Sequence, residues 1–213
     1  MTVTHHPPEE LLLDYAAGTT DEATSLALAT HLTLCPNCRK DVALAESLGG
    51  ALLEGEEDAS LSGDALSKVL ARLDDAVPTT ALASAKSSSV PAPLRVYIGD
   101  EFAAVRWTNA GGGTFFKQVF RQKRANVRLI RSTPGEGVGF HTHRADEYTV
   151  CLSGGYSDQT GRYARGDWQT ATPDLLHRPV ADAGEDCISL TVNYAPLRFR
   201  HWGIALIAKW FGF

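Results

Sequence analysis

His31-Leu-Thr-Leu-Cys35-Pro-Asn-Cys38 places three candidate metal ligands within eight residues. Two cysteines at this spacing can bind one ion from either side of a turn, and nitrogen and sulfur ligands suit Zn²⁺. A Cys-x-x-Cys pair by itself is also compatible with a thioredoxin-like redox dithiol. The histidine at short range favours the metal, so we predict a zinc site that organises the chain up to about residue 80.

Helical patterns lie on both sides of this stretch. Pro7-Pro8 favours the start of a first helix, and Gly18 ends it. Thr19–Glu22 matches a capping box for a second helix, which runs to His31 or slightly beyond. Pro36 then predicts the start of a third helix, so the cysteines lie at a junction between two helices.

A closed tetrahedral zinc site needs a fourth ligand. The upstream candidates are His5 and His6, both at the entrance to the first helix. We favour His6, because it directly precedes the two prolines. His5, a water molecule and a side chain from a partner are the alternatives.

A fourth, amphipathic helix is predicted from Leu61 to Val77, after an acidic break at residues 54–60. Leu66, Val69, Leu70 and Leu73 follow helical spacing and form one apolar stripe. Such a stripe usually closes a local bundle. Because this one follows a polar break, we expect it to bind a groove of a partner protein.

Charge is distributed unevenly along the 213 residues, which have a net charge of −5. Residues 1–77 contain 14 acidic and 4 basic side chains, a balance of −10, whereas residues 78–213 contain 11 and 16, a balance of +5. The first part is therefore expected to repel nucleic acid and to attract a basic partner. A solvated acidic surface that maintains solubility is the alternative.

The sequence indicates a cytoplasmic protein. It contains no apolar run long enough to span a membrane and no signal-peptide pattern at its start. Four cysteines, two of them in a metal-type motif, fit a reducing compartment better than a disulfide scaffold. Residues 78–93 are rich in Ser, Ala, Thr and Pro, which predicts a flexible linker to a second domain.

Residues 94–195 have the sequence pattern of an all-β domain, with short apolar runs separated by turn residues. Within them, His141-x-His143 is followed after three residues by Glu147. Two histidines at this spacing point to the same face of a strand, so both imidazoles can meet one ion, and Glu147 can join them from the next strand. Glycines frame the set at positions 135 and 154.

This arrangement resembles the first cupin motif and matches it fully. The second cupin motif is degraded: its second glycine is missing, Ala181 stands where the motif has Asn, and His177 lies one residue closer to Pro173 than the pattern has it. The resemblance implies a jelly-roll barrel with His177 as a fourth ligand. Three histidines and a carboxylate suit Zn²⁺, which we favour, and also Fe, Mn, Ni or Cu.

The first domain resembles the zinc-binding anti-sigma domain, on the evidence of His6, the motif ending in Cys38 and the helical pattern around them. That family binds sigma factors of the extracytoplasmic-function type and covers their polymerase-binding surfaces. Fused to a cupin, it resembles the ChrR-type anti-sigma factors. The resemblance implies that the zinc domain sequesters a sigma factor and that the cupin is needed for release under a stress such as singlet oxygen.

We therefore predict an α+β protein with two domains: a zinc-bound bundle of about four helices (1–77), a linker (78–93), a cupin barrel (94–195) and an apolar, aromatic tail (196–213). It is not expected to be an enzyme. The alternatives are a cupin metalloenzyme of the dioxygenase or isomerase type and a redox sensor that uses Cys35 and Cys38. Cys151 and Cys187 are interpreted as buried apolar residues, or else as oxidisable thiols near the second metal.

Overall fold

The computed structural model describes residues 2–73 and 88–200. A helical part precedes a β-rich part, which confirms the predicted fold class. The helices of the first part are α1 (Glu9–Ala16), α2 (Glu22–Leu34), α3 (Pro36–Glu54) and α4 (Ala65–Ala71). Pro36 begins α3, and Cys35 is its N-cap.

Helix α2 begins differently from the prediction. The capping box at Thr19 does not form, because the Thr19 hydroxyl donates to the carbonyl oxygen of Asp14. Asp21 is the N-cap instead, and its carboxylate accepts from the backbone N–H of Thr24 at 2.8 Å. Aspartate is among the best N-cap residues, and it provides this bond without a reciprocal glutamate.

Helix α4 is shorter than the predicted helix over Leu61–Val77. It begins at Ala65, because Ser62, Gly63 and Asp64 have low helix propensity and form a turn. Residues 74–77 lie outside the described residues. Helix α4 has no buried residue, so its apolar stripe faces solvent.

The β-rich part follows a short helical segment, Ala92–Leu94 and α5 (Arg95–Ile98), and a second short turn of helix at Phe102–Ala104. Its strands are β1 (Thr108–Gly111), β2 (Thr114–Arg121), β3 (Asn126–Ser132), β4 (His141–Thr142), β5 (Glu147–Ser153), β6 (Gly155–Asp158), β7 (Gly161–Ala164), β8 (Trp168–Ala171), β9 (Val180–Ala181), β10 (Cys187–Asn193) and β11 (Arg198–Phe199).

These strands form three antiparallel sheets rather than one closed barrel. The largest has the order β1-β2-β3-β10-β5-β8, and the others are β7-β6-β9 and β11-β4. Strand β11 belongs to the segment predicted as the start of the tail, so the β-rich part continues beyond residue 195 to at least Phe199. The rest of the tail, from residue 201, lies outside the described residues.

The two parts share one hydrophobic core. Leu26 and Leu28 of α2 belong to the same cluster as Leu152, Trp168 and Val192 of the β-rich part. Helix α2 is buried on both sides, since α1 and α3 cover one side and strands β5 and β10 cover the other. Burial of apolar side chains at this contact stabilises the docked arrangement.

The predicted flexible linker differs from the structure at its C-terminal end. Val90 is buried, and so is Leu94, which follows the predicted linker. The backbone N–H of Val90 donates to the carbonyl oxygen of Asp100. Residues 88–93 are therefore held against the core, because Val90 buries an apolar side chain there, whereas residues 78–87 lie outside the described residues.

Across residues 2–73 and 88–200, no helix combines the length and the apolar character needed to cross a membrane.

Candidate metal centres

The first group of candidate ligands lies at the junction of α2 and α3. One ligand atom from each of His6, His31, Cys35 and Cys38 lies within 4.8 Å of the others. His6 Nδ1 is 3.4 Å from Cys35 Sγ and 3.3 Å from Cys38 Sγ, and His31 Nε2 is 3.3 Å from Cys38 Sγ. Ligands of tetrahedral zinc lie roughly 3.5 Å apart, given usual Zn–N and Zn–S lengths, so this donor set fits Zn²⁺.

His31 is held in place by the β-rich part. Its Nδ1 lies 2.8 Å from the carbonyl oxygen of Gly166, and its ring contacts Trp168 edge to face. Burial lowers the pKa of His31 to about 4, so the imidazole is neutral at physiological pH. With Nδ1–H donating to the carbonyl, the lone pair on Nε2 faces the two cysteines.

The structure separates the two neighbouring histidines near the N-terminus. His6 joins the three ligands of the motif. The His5 ring instead packs 4.5 Å from the ring of Tyr163, and its backbone N–H donates to Asp167. Because adjacent residues in an extended segment point to opposite sides, only one of the two can face the cysteines.

The cysteine pair is better suited to metal binding than to redox chemistry. Burial, with the neighbouring Cys35 thiol, raises the pKa of Cys38 to about 12. A reactive dithiol needs a lowered thiol pKa, since the thiolate is the nucleophile. A bound cation would supply the positive charge that makes thiolates stable in this buried position.

The second group lies inside the β-rich part. Ligand atoms of His141, His143, Glu147 and His177 also lie within 4.8 Å of one another, and all four residues are buried. The Nε2 atom of His177 is 3.0 Å from that of His143 and 3.1 Å from that of His141. Three buried imidazole nitrogens that converge in this way fit a divalent cation of the zinc or iron kind.

Hydrogen bonds outside the second group orient its imidazoles. His141 Nδ1 lies 2.8 Å from the carbonyl oxygen of Gly139, and His177 Nδ1 lies 2.7 Å from Asp158 Oδ2. With both Nδ1 atoms donating outward, the Nε2 lone pairs point inward. Burial lowers the pKa of His141 to about 4, so its ring is neutral.

Asp158 is a buried carboxylate at the centre of this outer set of bonds. Besides His177, it accepts from Gln169 Nε2 at 2.7 Å and from the backbone N–H of Thr160 at 2.7 Å. Burial opposes its ionisation, but these hydrogen bonds outweigh burial and hold the pKa of Asp158 below its usual value. It therefore remains a negatively charged acceptor for His177.

Gly154, the last glycine of the motif, is required by the backbone. Its φ is +65°, and a Cβ there would lie 2.6 Å from the carbonyl oxygen of Asp186. Any other residue would be strained at this φ and would displace Asp186, which directly precedes β10. Gly154 thus has a structural role, since it turns the chain directly after β5.

A cavity of about 50 Å³ adjoins the second group. His141 and Glu147 line it, together with polar side chains such as Thr149 and Thr191. The space can hold a few water molecules or a small polar ligand beside a bound ion.

Comparison with known proteins identifies the family. A family model described as the ChrR cupin-like domain matches residues 98–197. Over 211 residues the chain is 39% identical to the anti-sigma-E factor ChrR of Cereibacter sphaeroides, and the match covers 99% of both chains. The chain belongs to the ChrR family of anti-sigma factors. The predicted resemblance is confirmed, and the β-rich part is the cupin domain of a ChrR-family protein.

One solved structure agrees with membership of the ChrR family. The crystal structure of Rhodobacter sphaeroides SigE in complex with the anti-sigma ChrR matches with a TM-score of 0.81 and 38% identity, covering 90% of this chain and 100% of that chain. The polyketide cyclase RemF from Streptomyces resistomycificus matches with a TM-score of 0.38 and 16% identity, covering 42% of this chain and 72% of that chain.

Several residues around the two centres of this ChrR-family protein are not evident from its sequence. Asp158 and Gly166 carry the outer hydrogen bonds to His177 and His31, and neither belongs to a spacing pattern that predicts this role. A backbone carbonyl, such as that of Gly166, has no sequence signature. The sequence signal for Asp167 is limited to its place directly after Gly166, the first glycine of the degraded second cupin motif.

Proposed function

We propose that this ChrR-family chain sequesters a sigma factor of the extracytoplasmic-function type in the cytoplasm. The relative in the solved complex is bound to SigE. In this chain the surface that carries the proposal is an apolar face that the described residues leave uncovered, on α3, on α4 and at Leu73 just beyond α4. Its members are Leu44, Leu48, Leu52, Leu53, Leu66, Val69, Leu70 and Leu73, each between 53% and 74% exposed.

The second half of α3 has no buried residue. This helix is 19 residues long, yet only Cys38 and Val42 on it are buried. Exposed apolar patches of this kind mark protein-interaction sites, because leaving them in water is unfavourable. A sigma-factor helix or hydrophobic segment would cover them.

A groove beside this face supports the same assignment. The groove has a volume of about 670 Å³ and is lined by residues of α1 and α3, among them Leu12, Leu13, Leu44 and Leu48. His6 and Cys38 lie at its wall. A metal ion at the first centre would therefore fix the two helices that form the groove.

We assign Zn²⁺ to His6, His31, Cys35 and Cys38 as a structural ion. The cluster joins the segment before α1 to α2 and to the start of α3, so metal binding contributes directly to the folding of these elements. Loss of this metal is expected to disorganise the groove between α1 and α3. Sigma binding should be lost with it.

We assign a second divalent ion, with Zn²⁺ favoured over Fe, Mn or Ni, to His141, His143, Glu147 and His177. This centre and its cavity are the proposed point of signal entry, with singlet oxygen or a related oxidant as the expected stress. The metalloenzyme alternative receives no support from the curated relative, which is named as an anti-sigma factor.

Co-purification tests the proposal. The full chain and a sigma factor of this type from the same genome are co-expressed, and the expected result is a stable complex. The Cys35→Ser, Cys38→Ser double variant should fail to form it, because two of the four ligands are lost. Full binding by that variant without metal would contradict the proposal.

A further inference from the structure

The turn between β7 and β8 contacts His31 of the first centre and the segment that directly precedes His6. The carbonyl oxygen of Gly166 lies 2.8 Å from Nδ1 of His31. The carboxylate of Asp167 accepts from the backbone N–H groups of Thr4 at 2.7 Å and His5 at 3.0 Å. These two residues directly precede His6, so one cupin turn fixes the approach of two of the four proposed ligands.

The N-terminal segment packs closely against this turn. The Asp167 side chain is 3% exposed, and the backbone N–H of Ala164 donates to its second oxygen at 2.8 Å. The backbone N–H of Trp168 donates to the carbonyl oxygen of His5 at 3.0 Å, which adds a bond beside those of Asp167. A Cβ on Gly166 would lie 2.6 Å from Cγ2 of Val3. The N-terminal segment therefore has little freedom to shift against the turn.

Strand β8, which follows this turn, is connected to the second centre through Gln169, two residues after Asp167. Gln169 Nε2 donates to Asp158 Oδ2 at 2.7 Å, and the same oxygen lies 2.7 Å from His177 Nδ1. Trp168 and Gln169 point to opposite faces of β8, as alternate strand residues do. The Trp168 ring meets His31, whereas the Gln169 side chain points into the cupin.

We propose that residues 166–169 couple the two metal centres, with Asp167 and Gln169 as positioning residues. The coupling rests on the proposed metal binding at both centres. A change in the position of His177 moves Asp158 and Gln169, and so shifts the turn that holds His31 and the segment before His6. An ion at either centre holds its ligands in place and so keeps this connection ordered, which should strengthen metal binding at the other centre. Because coupling is reciprocal, the factor is the same in both directions.

The test uses Co²⁺ as the probe on the metal-free full chain. Only the first centre contains cysteine, so the thiolate-to-cobalt charge-transfer band reports binding there and ignores the cupin centre. Asp167→Ala should weaken Co²⁺ binding at the first centre by about 10–100-fold, an effect of the size seen when outer bonds that position a ligand are lost, because Asp167 holds the two residues before His6. Asp167→Asn, which retains one carbonyl acceptor, should lie between Asp167→Ala and the unaltered chain.

Asp182→Ala is the matched control. Its carboxylate also lies in the cupin, but its partners, Arg162 Nε at 2.7 Å and Ser157 Oγ at 3.1 Å, belong to the cupin alone. It should leave Co²⁺ binding at the first centre unchanged. An equal loss in Asp182→Ala and Asp167→Ala would mean that any disturbance of the cupin has this effect, and it would overturn the proposal.

A double-mutant cycle tests the coupling itself. His177→Ala, which disables the cupin centre, should weaken Co²⁺ binding at the first centre by at least about fivefold. The same change in the Asp167→Ala background should have little further effect, because the connection is already broken. Glu147→Gln replaces His177→Ala if that variant fails to fold.

Two outcomes of these experiments would contradict different parts of the proposal. Independent, additive effects of Asp167→Ala and His177→Ala would overturn the coupling while leaving both metal sites in place. Absence of the thiolate band in the unaltered chain would contradict the metal assignment at the first centre, and the coupling with it.

Discussion

The carbonyl oxygen of Gly166 in the cupin lies 2.8 Å from Nδ1 of His31 in the helical part. This bond joins a proposed zinc ligand to the domain that is expected to receive the stress signal. It also turns the Nε2 lone pair of His31 toward the cysteines. The helical part and the cupin therefore meet at the metal centre itself, in addition to their shared apolar core.

Gly166→Ala should destabilise the docked arrangement. The residue has a φ of +97°, and a Cβ would collide with Val3, so both strain and overlap contribute, for a total of about 2–4 kcal/mol. Gly184→Ala is the control, because Gly184 has a φ of +108° with open space around it, and only the strain of about 1–2 kcal/mol applies. Urea unfolding compares the two. Equal losses would mean that the approach of Val3 to this turn contributes nothing.

Tyr194→Phe should loosen the contact between α2 and the cupin. The Tyr194 hydroxyl donates to Asp21 at 2.7 Å and also bonds the Thr24 hydroxyl, so its removal should cost about 1–2 kcal/mol. Tyr97→Phe removes a hydroxyl that makes an exposed bond to Glu22 at 3.3 Å, and its effect should stay within about 0.5 kcal/mol. Thermal unfolding measures both variants, and a larger loss in Tyr97→Phe would refute this ranking.

Leu48→Asp should weaken sigma binding without unfolding the protein. Leu48 is 64% exposed in the uncovered face of α3, so a charge there is tolerated in the free chain but not beneath a partner. The loss should reach about 30-fold or more, as for a central interface residue. Val96→Asp is the control, because Val96 is 86% exposed on α5, a short helix that packs on β2. Calorimetric titration measures the affinity of each variant for the sigma factor. Equal affinity of the two variants would mean that the interface lies elsewhere.

Asp158→Asn should weaken metal binding at the cupin centre by about 10–100-fold, because the carboxylate that orients His177 loses its charge. Metal competition with a chelator measures the change at the cupin centre. Asp182→Asn alters a carboxylate with no bond to a candidate ligand among those described, and it should have no effect. An unchanged affinity in Asp158→Asn would show that His177 is oriented by its surroundings without this charge.

The sequence predicted the two groups of candidate ligands because local spacing carries their geometry. His141 begins β4 and His143 directly follows that strand, with their rings 5.0 Å apart, and Cys35 and Cys38 lie at the first turn of α3. The outer bonds were not predicted, since Asp158 meets His177 only through the packing of different strands. Long-range contacts of this kind leave no periodic pattern in the chain.

The sequence of α2 contained a sign that the two parts pack together, but the composition of the linker pointed to independent domains. Helix α2 has no polar face: Leu26, Ala27 and Leu28 follow one another, and Thr30 is also buried. A helix that is apolar all round is covered on more than one side. The composition of residues 78–93 indicated independent domains, although Val90 at the end of that stretch is buried.

Native mass spectrometry of the chain co-expressed with a sigma factor of the extracytoplasmic-function type tests the central claim most directly. We expect a one-to-one complex in which the ChrR-family chain carries two metal ions, one in each centre. The Cys35→Ser, Cys38→Ser variant should appear free, with at most one ion. A chain that carries both ions and yet remains unbound beside the sigma factor would contradict the account.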